Sequence, residues 1–338
     1  MCVMGNDVAA TYNPAQHLVV GPQHDGQRVD NYLSRCLKGV PRTRIYRILR
    51  RGEVRVNKGR IDPAYRLRRG DIVRIPPLRY HEPQLDGPPS ERCLETIKGS
   101  MLYEDAGLIV VNKPVGVAVH GGSGKRYGVI EAMRLLRPEL PFLELVHRLD
   151  RDTSGCLLLA KKRSVLKELH QALRERRLRK RYVLLARGPW SHGVRRVESA
   201  LRKNILRCGE RMVHCDAQGK PSITLFQPLV RGSLAVLLQA IPVTGRTHQI
   251  RAHAAFIGHP VAGDAKYGDR DFNQALRAVG LRRLFLHALA VELGNYAGGD
   301  NIVAPLPTEL HGVLEGLGIS YSDPSPPGMK AGGRRDGG

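Results

Sequence analysis

Apolar residues recur at two different periods along the chain, and the change of period divides it. From Gln27 the spacing of Val29, Tyr32, Leu33 and Cys36 is that of a helix with one face on a core. Gly39-Val40-Pro41 interrupts it. A second helix is expected from about Thr43, with Ile45, Ile48 and Leu49 inward, Arg44, Arg47, Arg50 and Arg51 outward, and Gly52 as its end. Val54-Arg55-Val56 then alternates, Asn57-Lys58-Gly59 turns, and Ile72-Val73-Arg74-Ile75 closes a small sheet.

Further on, short apolar runs replace the alternation. Leu108–Val111, Cys156–Ala160 and Tyr182–Ala186 read as buried strands. Ser164 can cap a helix whose core positions are Val165, Leu166, Leu169, Ala172 and Leu173. Residues 200–240 alternate, with turns at Cys208-Gly209 and Gln218-Gly219-Lys220, as hairpins do. Thr247 can cap a helix to Ile257, with Ile250, Ala254 and Ile257 inward; a final strand from Leu284 leads to Ala304–Pro307 and a terminal helix. The resulting division is a flexible arm over 1–22, a first domain over 23–80, a proline-rich linker over 81–96, a larger domain over 97–321 and a disordered basic tail over 322–338.

Composition adds a partner. The 338 residues carry 54 Lys and Arg against 31 Asp and Glu, a net charge of +23, which favours a polyanion and nucleic acid above all. Between residues 23 and 80 there are 16 Lys and Arg and 5 Asp and Glu, so about half of the excess sits on the small first domain. That domain lacks exposed aromatics for stacking on bases, which points to recognition of RNA shape and backbone. No apolar run reaches the length of a membrane span, and the N-terminus has no secretory pattern. The six cysteines are scattered without a C-x-x-C pair, which suits a reducing cytoplasm; Cys36 and Cys156 are expected to be buried. Neither Cys208, His214 and Cys215 nor the histidines at 248, 253 and 259 have the spacing of a zinc site, so no metal is expected.

The densest chemistry lies between Leu145 and Lys161. A polar insert there places Asp150 and Asp152 among Arg148 and Arg151, and nearby cations favour the ionised form of a carboxylate, which suits nucleophilic or base chemistry. Gly124-Lys125 fails as a phosphate-binding loop, because Val119 and Arg126 stand where Gly and Ser or Thr are required. Residues 112–124 are expected to form a substrate-facing loop whose lysine and histidine are structural or RNA-contacting, not catalytic.

Val146-His147-Arg148-Leu149-Asp150-Arg151-Asp152-Thr153-Ser154-Gly155 resembles the signature loop of pseudouridine synthases that modify large-subunit ribosomal RNA. Asn112-Lys113-Pro114 with Gly116, Arg179-Lys180-Arg181-Tyr182, and Thr244–Gly268 follow in the family's order. The similarity runs from about Gly26 to Leu317 and is nearest the RluC type of the RluA family, which carries an N-terminal S4 domain; residues 23–80 resemble that domain through their helix–helix–hairpin order and Gly52-Glu-Val-Arg-Val-Asn57. The chain departs from the family pattern at Val291–Asn295, which leaves a peripheral strand in question.

The resemblance implies an α+β (mixed) fold, an S4-like RNA-binding domain followed by a catalytic domain with a large, mainly antiparallel sheet and a central cleft. It implies isomerisation of uridine to pseudouridine in large-subunit rRNA or an assembling ribosomal particle, by a cytoplasmic monomer with no membrane partner and no cofactor. Asp150 matches the family's catalytic aspartate, and three routes stay open for it: adding to the base, attacking C1′ or removing a sugar proton. Arg251 matches the arginine that pairs with it, Tyr182 the residue that stacks on the target base, and Arg148 the one that fills the gap left by a flipped nucleotide. His147 is placed with Arg148, and Arg44, Arg47, Arg50, Arg51, Arg55 and Lys58 are the expected S4 contacts to RNA. Asp152 is expected to shape the loop as an acceptor. Two other readings share much of this: a catalytically silent S4-type assembly factor, and the same isomerase acting on transfer RNA. A DNA-binding regulator lacks the dimer heptads or finger spacing it would need.

Overall fold

The computed structural model describes residues 11–37, 40, 42–80, 89–121, 127–205, 211–294, 296 and 301–324. It divides into two compact units, residues 1–86 and 87–338.

The first unit contains strands β1 (Thr11–Asn13) and β2 (Gln16–Val19), helices α1 (Val29–Cys36) and α2 (Arg42–Arg50), and strands β3 (Arg55–Val56), β4 (Gly59–Arg60), β5 (Ile72–Ile75) and β6 (Leu78–Tyr80). Val29, Leu33, Ile45, Ile48 and Leu49 from the helices meet Val56, Val73 and Ile75 from the sheet, with Val54 just before β3, in one core. Asn57 and Lys58, both at positive φ, make the tight turn between β3 and β4. Two expectations need correction here. Gln16–Val19 is no loose arm but an edge strand on β5, held by backbone pairing that a hydrophobic period does not reveal. Cys36 is exposed, because the last position of α1 has turned off the core face. Residues 1–10 lie outside the described residues.

The second unit opens with α3 (Glu91–Lys98), which begins inside the segment read as linker (81–96) and runs past its end. Ser90 Oγ accepts a hydrogen bond from Cys93 N, and Cys93, Leu94 and Ile97 pack inward, a stripe hidden by the neighbouring prolines. There follow β7 (Met101–Glu104), β8 (Leu108–Lys113), α4 (Val129–Leu136), β9 (Glu144–Leu145), β10 (Ser154–Ala160), α5 (Arg163–Arg174), β11 (Arg179–Arg187), β12 (Arg195–Glu198), β13 (Leu201–Ile205), β14 (Arg211–Cys215), β15 (Ile223–Arg231), β16 (Ala235–Pro242), α6 (Gln249–Phe256), α7 (Arg270–Ala278), β17 (Leu286–Glu292), β18 (Asn301–Val303) and α8 (Thr308–Gly316). Ten of the strands form one sheet, in the order β12-β15-β16-β11-β17-β10-β8-β7, with β18 on β17 and β9 on β10. Among these pairings only β10 with β17 is parallel.

The continuous apolar runs are explained by burial on both faces. Along β11, Tyr182, Leu184 and Ala186 belong to one core and Val183 and Leu185 to another. β17 lies between β10 and β11, so the departure of the sequence at Val291 falls on a central strand, not a peripheral one; Val291 is itself buried. α5 starts at Arg163 with Lys162 as its cap, leaving Ser164 inside the first turn. α6 starts at Gln249, not after Thr247, because His248 takes a left-handed conformation (φ 52°) and Gln249 turns its amide onto Ile223 O and Thr224 Oγ1. Beyond α8, Asp323 accepts from Leu306 N at 3.0 Å, so the chain stays attached past residue 321; residues 325–338 lie outside the described residues.

Candidate active site

The Leu145–Lys161 stretch folds as the sequence suggests, a loop entering β10. Gly155 is what allows it. A Cβ at this residue (φ +111°) would stand 2.3 Å from Ala288 O, where β10 meets β17. The loop is held from beneath by Lys113, whose buried ammonium donates to Pro114 O, Val117 O (both 2.8 Å) and Arg151 O (3.0 Å). Those three acceptors use every donor of the ammonium. Burial, with Arg283 adding to it, pushes the Lys113 pKa down to about 7. Thr153 N donates to Asp150 O and Gly116 N to Arg151 O. Asp152 has less to do than expected: it takes the guanidinium of Arg151 at 3.0 Å on the exposed rim.

Asp150 is not paired by its sequence neighbours. Its partner comes from α6: Arg251 Nη1 lies 3.3 Å from Asp150 Oδ2. Arg251 is fixed in turn by Asp264, which accepts from Nε at 2.7 Å and Nη2 at 2.8 Å. The Asp264 and Arg251 side chains are 0% and 6% exposed, whereas that of Asp150 is 26% exposed and can be reached. Burial opposes the charge on Arg251, but the bonds and charge of Asp264, with Asp150 behind them, raise its pKa. Burial alone would raise the Asp264 carboxyl; the Arg251 bonds outweigh it and lower the pKa.

Two aromatic rings complete the surroundings. Tyr267 lies under Arg251, with the guanidinium carbon 5.1 Å from the ring centre. Its hydroxyl accepts from Val213 N at 2.8 Å and pairs with His248 Nδ1 at 2.9 Å, and His248 Nε2 stands 3.8 Å from Asp150 Oδ2. Burial lowers the His248 pKa, partly offset by Asp150. Tyr182, from β11, is buried, and burial together with Asp150 raises its pKa. All of these except Asp264 and Tyr267 line one cleft of about 1290 Å³, whose wall also carries Arg148, Arg174, Arg176, Arg179, Lys180 and Arg246.

Asp150, Tyr182, Arg251, Arg148 and His147 are thus brought together. Arg148 is exposed, while His147 turns inward, its Nε2 accepting from Leu158 N. Arg44, Arg47, Arg50, Arg51, Arg55 and Lys58 lie on the other unit; all but the half-buried Arg44 are exposed. Among the described residues, no carboxylate comes within ion-pair distance of Arg44, Arg47 or Arg50. His120 is exposed at the cleft, and Lys125 lies outside the described residues. Sequence reasoning singled out neither Asp264, His248 nor Tyr267 as site residues. The only signal was their membership of the dense Thr244–Gly268 stretch, since their pairing depends on a turn that folds back on α6.

Residues 107–256 match the family model of RNA pseudouridylate synthase, and residues 27–73 match that of the S4 domain. The chain belongs to the RNA pseudouridylate synthase family and is an isomerase, with an S4 domain in front of the catalytic one. Ribosomal large subunit pseudouridine synthase C of Haemophilus influenzae is 51% identical over 304 residues, 89% of this chain and 94% of the relative. The protein of the same name from Escherichia coli K12 is 52% identical over 297 residues, 86% and 93% of the two chains. Among solved structures, human RNA pseudouridylate synthase domain containing 1 is 26% identical with a TM-score of 0.51, covering 67% of this chain and 96% of that one. Human RNA pseudouridylate synthase domain containing 4, at 24% identity and a TM-score of 0.57, covers 68% and 96% and shares the fold. Among the described residues no helix is long and apolar enough to cross a membrane.

Proposed function

We propose that this protein converts uridine to pseudouridine in large-subunit ribosomal RNA, with Asp150 as the reacting carboxylate. The observation that carries the reading is the reachable Asp150 carboxylate set on Arg251, which Asp264 holds from behind, at the wall of a basic cleft. The reaction breaks the C1′–N1 bond, turns the base and rejoins it through C5, so it needs neither a redox partner nor a group donor. Arg251 orients Asp150 and balances its charge. Tyr182 gives the base an aromatic face. Arg148, exposed and planar, takes the space of the extruded nucleotide and offsets part of the few kcal/mol that flipping costs. His147 supports that loop from the cleft wall.

The cations on and just after α2 and around the β3–β4 turn (Arg44, Arg47, Arg50, Arg51, Arg55 and Lys58) track the phosphates. The substrate assignment rests on the names of the relatives and on the S4 domain, which favour ribosomal over transfer RNA. The protein acts in this reading as a cytoplasmic monomer on rRNA or an assembling particle, with no cofactor. The test is to map pseudouridines in ribosomal and transfer RNA from cells with and without the protein. Sites that disappear from large-subunit rRNA on deletion support the reading, and disappearance confined to transfer RNA contradicts it.

A further inference from the structure

Among the described residues, one half-buried cation of the cleft wall has no partner. Lys180 lies on β11 two residues before Tyr182, so strand alternation directs it to the same face, and both line the cleft. Arg181, between them, points away and pairs with Glu292 at 3.3 Å. The Lys180 ammonium sits against the 244–246 turn: a Cβ on Gly245 would stand 3.8 Å from Nζ. Among the described residues nothing accepts a hydrogen bond from it and no carboxylate pairs with it. Burial lowers its pKa, and no neighbouring charge opposes that shift.

The buried cations of the site differ. Arg251 has two carboxylates, and Lys113 has three carbonyls. A second unsatisfied group lies close by. Among the described residues His147 Nδ1 is buried without a hydrogen-bond partner, while its Nε2 accepts from Leu158 N, so the neutral ring carries its proton on Nδ1 as an unused donor. Burial, and after it the charge of Lys180, lowers the His147 pKa to about 3, against a smaller opposing effect of the Arg148 backbone. Desolvating a ring N–H without an acceptor is costly, and the cost is removed if the acceptor arrives with a ligand that the unpaired ammonium also attracts.

We infer that Lys180 is a substrate-binding residue that receives an oxyanion of the flipped nucleotide, with His147 Nδ1–H beside it. This deepens the proposed function and rests on it. Two oxyanions of that nucleotide qualify. One is its backbone phosphate. The other forms during the reaction: whichever route Asp150 takes, the C1′–N1 electron pair leaves with the base, and the charge spreads over N1 and the uracil oxygens until C5 bonds to C1′ and releases its proton. A cation held at the cleft wall with no carboxylate of its own is suited to that charge.

The test uses the full-length protein and an in vitro transcript of large-subunit rRNA, comparing wild type with Lys180→Met, Lys180→Gln and Lys180→Arg. Urea unfolding midpoints confirm that each variant is folded, and Lys180→Arg serves if the neutral variants are not. If the partner is a phosphate, Lys180→Met weakens binding and makes the slope of log K against log salt shallower by about 1, with the rate on saturating RNA preserved. If the partner is the uracil, affinity and slope hold while the single-turnover rate falls by about 100-fold or more, and Lys180→Arg recovers part of it. In either case wild-type kcat/KM falls on the alkaline side as the ammonium is deprotonated, and Lys180→Arg removes that limb. Neutral variants that match wild type in rate, affinity and salt slope would overturn the inference and leave Asp150 untouched. A wild-type enzyme that forms no pseudouridine on this RNA would instead overturn the reading of the site beneath it.

Discussion

Arg251 gives two of its guanidinium nitrogens to Asp264 and one to Asp150. The buried bidentate pair fixes the guanidinium, and the single longer bond leaves the second Asp150 oxygen open toward the cleft. Asp264 is therefore a positioning residue: it acts on Asp150 through the arginine.

Asp264→Ala leaves Arg251 buried with half of its partners gone. We expect it to cost about 3–5 kcal/mol of unfolding free energy by urea titration. A double change, Asp264→Leu with Arg251→Met, should recover much of that stability while pseudouridine formation stays abolished. Recovery of activity in the double variant would show that Arg251 does not serve Asp150.

Acid should destabilise this protein before its carboxylates titrate. His287 is fully buried, with Nε2–H donating to Ala304 O at 3.1 Å and Nδ1 accepting from Ser154 Oγ, and burial lowers its pKa to about 4. Its folded pKa lies below the unfolded value of about 6.5, so the unfolded chain binds the extra proton. Stability from this residue is complete above about pH 6.5 and declines as pH falls toward 4, by up to about 1.4 kcal/mol per pH unit. His287→Gln should flatten the pH dependence of the urea midpoint in that window. An unchanged slope would mean that the ring titrates alike in both states.

The first unit should set affinity and not chemistry. Replacing Arg47, Arg50 and Arg51 with Gln should weaken binding to large-subunit rRNA and make its salt slope shallower by about 1 for each phosphate no longer neutralised. Single-turnover rates on saturating RNA should stay near wild type. A variant with the wild-type salt slope would show that α2 does not meet the backbone.

Much of this was legible in residue order. Val29, Leu33, Ile45 and Ile48 announced their helices by spacing, and the unbroken runs at Leu108 and Cys156 announced strands covered on both faces. What was not legible is closure at long range. Arg148 and Arg151 flank Asp150 in sequence, yet the cation that meets it stands 101 positions away, and it was the family resemblance, not spacing or charge, that pointed to Arg251. The strand at Gln16–Val19 is held by backbone bonds to β5 that impose no apolar period, and the helix at Glu91–Lys98 is short enough for its stripe to be hidden beside prolines. His248 breaks the expected start of α6 because a left-handed residue leaves no mark in composition.

The account stands on Asp150 as the reacting carboxylate, and Asp150→Asn tests it with almost no change in shape. Pseudouridine formation on large-subunit rRNA should be measured under single turnover, with the Kd for the same RNA measured in parallel. The account predicts a Kd within about threefold of wild type, since phosphate contacts carry the affinity, and no detectable product. Product formed at the wild-type rate would contradict it.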